Sequence, residues 1–378
     1  MHFLLPFLLF LFSLLQLLPP TFPARNFPQP TTVLNFDHST ATTLAAHSSV
    51  YNNTPWGGFA KFANLEKGSH FTGICDLKTY FHHFGYLPPP PGNFSDDFDS
   101  DLESAIFNYQ RNLGLPVTGK LDTDTVDLIM APRCGMGDDH TRAAVNTTTR
   151  HLHTTRHYSF FNGQPRWMRS SPMTLTYAFS PDGMIDYLPQ EEIRAVFSRA
   201  FGRWSEVIPV NFTEVEDYRT AEIHIGFHNG DHGDGEPFDG VLGVLAHAFS
   251  PENGRLHLDA AETWAVDFQT EGSRVAVDLE SVATHEIGHV LGLAHSSVSD
   301  AIMYPSLRPR SRRVDLRIDD VEGVQALYGS NPNFNYGSLL ESDQETFNGE
   351  NSGSGKGSGL STWWLSWTIF LVIFSMTT

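Results

Sequence analysis

The chain has 378 residues, enough for two folded domains together with terminal segments. Its formal net charge of −19 argues against the basic surface that nucleic-acid binding requires, so no nucleic-acid partner is expected. The two cysteines, Cys75 and Cys134, are too few for a disulfide-built scaffold, so burial of apolar side chains must hold any core together.

The amino-terminal segment indicates a secreted protein. Residues 1–24 are predicted to be a signal peptide, because an apolar run over residues 3–18 ends at two prolines. No Lys or Arg precedes that run, and an uncleaved membrane anchor is the alternative interpretation. Four N-x-S/T sequons agree with an extracellular route and give candidate glycosylation sites at Asn52, Asn93, Asn146 and Asn211.

A small helical domain is predicted between about residues 65 and 130, after a loose leader rich in Pro and Thr. Apolar side chains recur there at helical spacing in two sets, Leu77, Tyr80, Phe81 and Phe84, then Leu102, Ile106, Tyr109 and Leu113. We expect Cys75 to be a small buried residue of this domain.

The segment 132–138, which reads PRCGMGD, places a thiol in a turn. A thiolate is a strong zinc ligand, so Cys134 could occupy one position of a metal site, and a free thiol is the alternative. The polar residues 139–157, which include Arg150 and Arg156, are predicted to be an exposed and cleavable linker.

From residue 158 to about residue 329 the patterns of strands and helices are mixed. Alternation predicts strands over residues 174–180, 211–215 and 222–227, and a closing helix is predicted over 314–328. One helix should face the core through the apolar stripe Ile193, Val196, Phe197, Ala200, Phe201 and Trp204. Further along, four nitrogen or oxygen ligands with no position for water are typical of a structural zinc site: His232, Asp234, His247 and His257.

The segment 285–295 carries the pattern H-E-x-x-H-x-x-G-x-x-H. On a helix, His285 and His289 share one face and can reach one metal ion, while Glu286 faces a water on that ion. Gly292 can take a left-handed conformation that ends the helix and lets His295 return as a third ligand. Three protein ligands leave the fourth tetrahedral position to water, as in a catalytic zinc site.

This extended motif, followed by Met303 in the segment 301–305, resembles the metzincin clan of metalloproteases. Ser296, the residue after the third histidine, is similar to that of the matrix metalloproteinases. The resemblance implies an α+β zincin-like catalytic domain, with a twisted, mixed five-stranded sheet and three helices, preceded by a small helical prodomain of the peptidoglycan-binding-like type. Met303 would lie beneath the zinc site.

The resemblance also assigns roles to residues outside the motif. Segment 132–138 is similar to the cysteine switch, with Gly137 in place of the usual Pro, so Cys134 would be the inhibitory zinc ligand of a latent zymogen with a propeptide at residues 25–157. A second, structural zinc would bind the set His232, Asp234, His247 and His257. Calcium would bind side chains of Asp239, Asp259 and Glu262 and carbonyls of Gly240, Leu242 and Val244, although Asp239-Gly240 alone predicts only a turn.

Two further expectations follow from the family. The amino group exposed by a cut before Tyr158 would pair with Asp319 or Asp320. The segment 305–314 would form the wall of an apolar pocket for the residue after the cleaved bond, so cleavage is expected before Leu, Ile or Met. This segment carries Arg308, Arg310, Arg312 and Arg313, which are either a solvated basic loop or a pocket rim that favours acidic residues further along the substrate.

The carboxyl-terminal segment predicts a lipid anchor. Residues 330–352 read as a flexible linker, and the small residues Asn351, Ser352 and Gly353 precede a polar spacer and an apolar end, so residues 353–378 would be removed when a glycolipid is attached. A short membrane-spanning helix is the alternative. No propeller domain is expected after residue 329, which is similar to plant-type matrix metalloproteinases.

The sequence therefore predicts a zinc- and calcium-dependent endopeptidase, held at the extracellular side of the plasma membrane, that acts on proteins or peptides and is a target for protein inhibitors. Glu286 would accept a proton from the zinc-activated water and deliver it to the leaving amine. A non-catalytic zincin-like binding protein and a cell-wall or matrix adhesion module are the alternatives, and the intact Glu286 argues against the first.

Overall fold

The structure is a computed structural model that describes residues 51, 54–138 and 157–337. The predicted signal peptide, most of the predicted linker and the predicted anchor signal lie outside the described residues. The same holds for Asn52, Asn146, Asn351, Ser352 and Gly353. Among the described residues, no helix combines the length and the apolar character needed to cross a membrane.

The predicted helical domain contains a short 3-10 helix, Gly57–Phe62, and three α-helices: α1 Ile74–His83, α2 Ser100–Asn112 and α3 Thr123–Met130. Asp99 and Asp122 cap α2 and α3, because their carboxylates accept the amides of Leu102 and Thr125. Both predicted apolar sets are buried in one cluster. The prediction that Cys75 is buried is wrong, because Cys75 is half-exposed. Its neighbour Ile74 takes the inward position on α1, and Cys75 therefore faces outward.

The second part of the chain is built on a mixed five-stranded sheet, as predicted. Its strands are β1 Met173–Phe179, β2 Val210–Glu214, β3 Ile223–His228, β4 Ala246–Ala248 and β5 Arg255–Asp259. Their order is β2-β1-β3-β5-β4, and only β4 runs antiparallel to its neighbour. A separate short parallel pair joins β6 Trp264–Ala265 to β7 Val277–Asp278.

Three helices complete this part, α4 Gln190–Val207, α5 Leu279–Val290 and α6 Ile318–Tyr328. The predicted stripe of α4 is buried, and the Trp204 indole donates to the carbonyl of Thr284 at 2.9 Å, which ties α4 to α5. Every residue of α5 is buried. Helix α6 begins four residues later than predicted, because the carboxylate of Asp320 accepts the amide of Arg317 at 2.8 Å and caps the helix there.

Candidate active site and metal centres

Helix α5 brings three histidines to one point. His285 and His289 lie one turn apart, and their Nε2 atoms are 3.1 Å from each other. Gly292 follows with φ +104, and a Cβ there would lie 2.2 Å from the carbonyl oxygen of Pro165, so only glycine permits this turn. The turn carries the Nε2 of His295 to 3.2 Å from that of His289.

This donor set fits zinc. Nitrogens bound at about 2.0–2.1 Å in a tetrahedron lie about 3.3 Å apart, close to the separations that the three histidines show. Their Nδ1 atoms face acceptors: the carbonyls of Ile302 and Leu293 for His285 and His289, at 2.7 and 2.8 Å, and the Asp138 carboxylate for His295, at 2.6 Å. Each Nδ1 can therefore carry the proton and leave the Nε2 lone pair for a metal. Burial lowers the pKa of His295 to about 3, so the ring is neutral.

Cys134 faces the same point. Its Sγ lies 3.3 Å from the Nε2 of His289, and all four potential ligand atoms of the group lie within 4.8 Å of one another. Burial raises the pKa of the thiol well above its ordinary value, so the thiolate needs a cation beside it. The structure thus puts the four predicted residues where one zinc could hold them.

The backbone around Cys134 forms hydrogen bonds on both of its sides, as a strand in the middle of a sheet does. The amides of Arg133 and Gly135 donate to the carbonyls of Gly243 and Ala246 at 3.1 and 2.8 Å. On the other side, the amide of Cys134 donates to the carbonyl of Pro305 at 2.9 Å. The segment around Cys134 therefore fills the cleft that contains the histidines.

Arg133 and Asp138 fix the ends of this segment. The Arg133 guanidinium is fully buried, stacks over the Phe84 ring at 3.7 Å and pairs with Asp138 at 2.8 Å. Despite its desolvation, the pKa of Asp138 is held well below its ordinary value, chiefly by Arg133 and His295. Sequence reasoning missed the contact between Asp138 and His295, because 157 positions separate the two residues.

Glu286 lies on α5 beside these groups with no hydrogen-bond partner for either carboxylate oxygen among the described residues. Burial raises its pKa to about 8, against a smaller opposite effect of the Cys134 thiol. A buried carboxyl with free lone pairs and a raised pKa can accept a proton and return it near neutral pH.

Met303 packs against helix α5. A Cβ added to Gly288 would lie 2.2 Å from the Met303 sulfur, so the turn of residues 301–305 packs directly against α5. The buried carboxylate of Asp320 accepts the amides of both Ile302 and Met303 at 2.9 Å. Asp320 is therefore engaged by the turn, and Asp319 is the carboxylate near the predicted new amino terminus: it accepts the amide of His157 at 3.1 Å.

A second group converges on Asp234. Its Oδ2 lies 2.9 Å from His232 Nε2, 2.8 Å from His247 Nε2 and 2.8 Å from His257 Nδ1. His247 and His257 are direct cross-strand partners on β4 and β5, so the sheet itself sets their spacing. One carboxylate shared by three rings leaves no position for water, and this donor set fits a closed zinc site.

The residues expected at a calcium site lie beside β5 but do not converge as closely. Amides of Val244, Gly240 and Leu242 donate to the carboxylates of Asp239, Asp259 and Glu262, at 2.7, 3.2 and 2.7 Å. Burial raises the pKa of Glu262 to about 9, and desolvation raises that of Asp239 to about 6. The other oxygen of Glu262 is buried without a hydrogen-bond partner among the described residues.

Glu280 is a buried carboxylate that sequence reasoning did not single out. It lies on α5 before the histidines, with oxygens 2.7 Å from Arg199, 2.6 Å from Arg203 and 3.0 Å from Arg312. The signal available was the spacing of Arg199 and Arg203, four positions apart on one face of α4.

Of the described sequons, Asn93 and Asn211 are both exposed.

Comparison with known proteins agrees with this geometry. The family model for Matrixin matches residues 166–329, and a model for a peptidoglycan binding domain matches residues 72–129. The chain is 55% identical over 333 residues to Metalloendoproteinase 1-MMP of Arabidopsis thaliana, which covers 88% of this chain and 87% of that protein. It is 60% identical over 273 residues to Metalloendoproteinase 4-MMP of the same plant, covering 72% and 77%. It is 45% identical over 289 residues to Metalloendoproteinase 1 of Glycine max, covering 75% and 92%. The chain therefore belongs to the matrixin family of zinc metalloendopeptidases, alongside matrix metalloproteinases of plants.

Proposed function

We propose that the protein is a secreted endopeptidase, made as a latent zymogen, that hydrolyses peptide bonds of extracellular or cell-surface proteins with Glu286 as general base. One observation carries this proposal: an unpartnered, buried glutamate lies beside three histidines whose Nε2 atoms meet, with the Cys134 thiol at the same point. A zinc-binding protein without catalysis would not require such a carboxylate.

The histidines and Glu286 have different roles in the proposed reaction. His285, His289 and His295 would hold a zinc ion, which would polarise a substrate carbonyl as a Lewis acid and lower the pKa of water. Glu286 would take a proton from the attacking water and pass it to the leaving amine. The acceptors at Ile302 and Leu293 keep two rings oriented, and they remain in place when the propeptide leaves, because both belong to the catalytic part of the chain.

Hydrolysis of casein or of a fluorogenic peptide by the protein after activation of its proform tests this function. We expect activity that a zinc chelator abolishes and that added zinc restores. If the activated, zinc-loaded protein leaves both substrates intact, the proposed activity is wrong, and a binding protein or an adhesion module is the better interpretation.

Calcium is proposed as a second kind of cofactor, held near Asp239, Asp259 and Glu262. The raised pKa values of Asp239 and Glu262 mean that the folded protein holds these protons more tightly than the unfolded chain, so without a cation stability falls as pH rises towards 9. Removing calcium at constant free zinc and pH 7.5 should lower the melting temperature by roughly 5–10 °C if it had been present at about a hundred times its Kd. An unchanged melting temperature would leave these carboxylates as structural hydrogen-bond acceptors.

Cell-surface attachment is proposed from residues outside the described ones. The small residues Asn351, Ser352 and Gly353 and the apolar end match a glycolipid-anchor signal, residues 1–24 match a signal peptide, and exposed Asn93 and Asn211 are accessible to glycosylation. Release of the protein from cells by a phosphatidylinositol-specific phospholipase tests the anchor. Retention after such treatment would favour the spanning helix.

Protein inhibitors are proposed partners because the cleft already accepts an extended chain, the propeptide.

A further inference from the structure

A groove of about 970 Å³, partly open to solvent, lies between the propeptide and the catalytic part of the chain. This volume falls in the range of about 300–1,000 Å³ that small-molecule sites occupy. One wall is formed by the 3-10 helix and α1 of the propeptide, and the other by the loop that joins β3 to β4. A molecule bound in the groove would therefore touch both parts at once.

The propeptide wall of this groove is aromatic. Trp56, Phe59 and Tyr80 line it. The Tyr80 ring stands at 84° to each of the other two rings, and its centroid lies 5.2 Å from that of Trp56 and 6.1 Å from that of Phe59. Rings at right angles form a corner and not a flat stack. Because the faces of aromatic rings attract positive charge, a cation in such a corner can contact more than one ring.

Carboxylates line both walls of the groove. Asp76 comes from α1 and Glu236 from the opposite loop, and both are exposed to solvent. In the part of the chain that the structure describes, neither forms an ion pair, and Asp76 accepts a weak hydrogen bond from the Cys75 thiol at 3.8 Å. Asp239 also lines the groove, but it is a candidate calcium ligand, so the argument for a ligand depends on the other two carboxylates.

Positive side chains do not compensate this negative charge. No Lys or Arg is among the described residues that line the groove, and His83 is the one basic side chain there. Burial lowers the pKa of His83, so its ring is neutral near pH 7. Arg133, which lies over the Phe84 ring beside the groove, already has Asp138 as its counter-charge. The groove therefore combines aromatic surface with negative charge that is free to pair with a ligand.

We propose that this groove binds a small organic cation with an apolar body, such as an alkyl- or arylammonium ion. The aromatic corner contacts the apolar body, and Asp76 and Glu236 pair with the ammonium group. Because these carboxylates come from opposite walls, the bound cation links the propeptide to the catalytic part. It binds the latent form better than the mature form and so shifts the equilibrium towards latency. The binding site does not depend on catalysis, whereas its effect on latency rests on the proposed function.

Three probes of similar size test the chemistry of the site: phenethylammonium, neutral 2-phenylethanol and anionic phenylacetate. In titration calorimetry of the zinc-loaded proform, phenethylammonium should bind about tenfold more tightly than 2-phenylethanol, and phenylacetate more weakly than either. The mature protein should lose this preference for the cation, because it lacks the aromatic wall and Asp76. Equal affinity of the proform for the charged and neutral probes, or the same preference in the mature protein, would refute the site.

Two substitutions test the carboxylates. Asp76→Asn and Glu236→Gln should each weaken binding of phenethylammonium about three- to tenfold, because a charge-assisted contact is lost. Binding of 2-phenylethanol should stay unchanged, which would show that the groove is still folded. Asp101→Asn is the control for Asp76, since both residues lie in the first turn of a propeptide helix, and Glu216→Gln is the control at an exposed position of the catalytic part. Wild-type affinity in both groove variants would refute the roles of these carboxylates and with them the proposal.

The effect on latency is measured at Cys134, whose thiol is buried in the latent form. N-ethylmaleimide can reach this thiol only when the segment around it opens, so the rate of labelling, followed by mass spectrometry, reports opening. Phenethylammonium at about ten times its Kd should slow labelling about tenfold, and 2-phenylethanol at the same concentration about twofold at most. An unchanged rate would refute the effect on latency. None of these measurements requires peptide hydrolysis, so a failure of the proposed function would be seen separately, in the hydrolysis assay.

Discussion

At the scale of single residues, Glu286 is the most direct test of mechanism. Glu286→Gln keeps the shape of the side chain and removes its ability to accept a proton. We expect the activated protein to lose about a hundredfold to ten-thousandfold in kcat. Zinc content should stay the same, because the three histidines that would hold the metal are unchanged.

Peptide hydrolysis and metal analysis of the same sample measure both effects. Glu216→Gln makes the same chemical change at an exposed position and should leave the rate unaltered. Wild-type turnover in the Glu286 variant would show that another group carries the proton. Loss of zinc together with activity would instead assign Glu286 to the metal site.

Individual residues differ in how far the sequence alone could have located them. His285, His289 and Glu286 follow from spacing on one helix, because a local pattern fixes their relative positions. The contact of Asp138 with His295 could not be predicted, since it depends on how distant segments meet. The Asp138 contact also depends on a buried arginine that balances its charge.

At the scale of elements, α5 packs tightly against the turn of residues 301–305, which carries Met303. Replacing glycine by alanine inside a helix usually stabilises it by about 1 kcal/mol. At Gly288 we expect the reverse, a loss of about 1–3 kcal/mol in the free energy of unfolding, because the new Cβ would overlap the Met303 sulfur and touch the Trp204 ring.

Gly202 on α4 is the matched control, since a Cβ there meets no atom within 4 Å. Gly202→Ala should raise the free energy of unfolding by about 0.5–1 kcal/mol. Denaturant unfolding of the two variants under the same conditions makes the comparison. If Gly288→Ala has the same free energy of unfolding as Gly202→Ala, the turn of residues 301–305 can move aside to make room for the added Cβ without loss of stability.

The elements themselves were largely predictable. The strand alternations gave β1, β2 and β3 to within one residue, and the apolar stripe predicted for α4 is buried, because one face of each element is buried. Two details were wrong for physical reasons. Helix α6 starts where Asp320 caps it and not where its apolar pattern begins, and Cys75 turns outward because periodicity cannot say which of two adjacent small or apolar residues faces the core.

At the scale of the whole molecule, latency depends on how the propeptide is held. Cys134→Ser removes the thiol from the metal group but leaves the backbone pairing of Arg133 and Gly135 with the cleft wall. Each such hydrogen bond contributes only about 1 kcal/mol. We therefore expect the Cys134→Ser proform to cleave peptide slowly before any processing and to convert itself to the mature size faster than wild type.

Gel analysis of purified proform over time, with peptide hydrolysis in parallel, follows this change. Asp138→Asn should show a smaller effect in the same direction, because Arg133 then lies buried without its counter-charge. A Cys134→Ser proform that stays inactive and intact would show that the propeptide blocks the cleft by its backbone alone.

The pairing of Arg133 and Gly135 with the cleft also has a consequence for timing. While the chain is continuous, the effective concentration of this inhibitory segment at its own cleft is on the order of millimolar or higher. A single cut between Asp138 and His157 makes the same contact bimolecular, so that its occupancy depends on dilution. The freed propeptide should then inhibit while the protein is concentrated and dissociate when the protein is diluted, which would make dilution a part of activation.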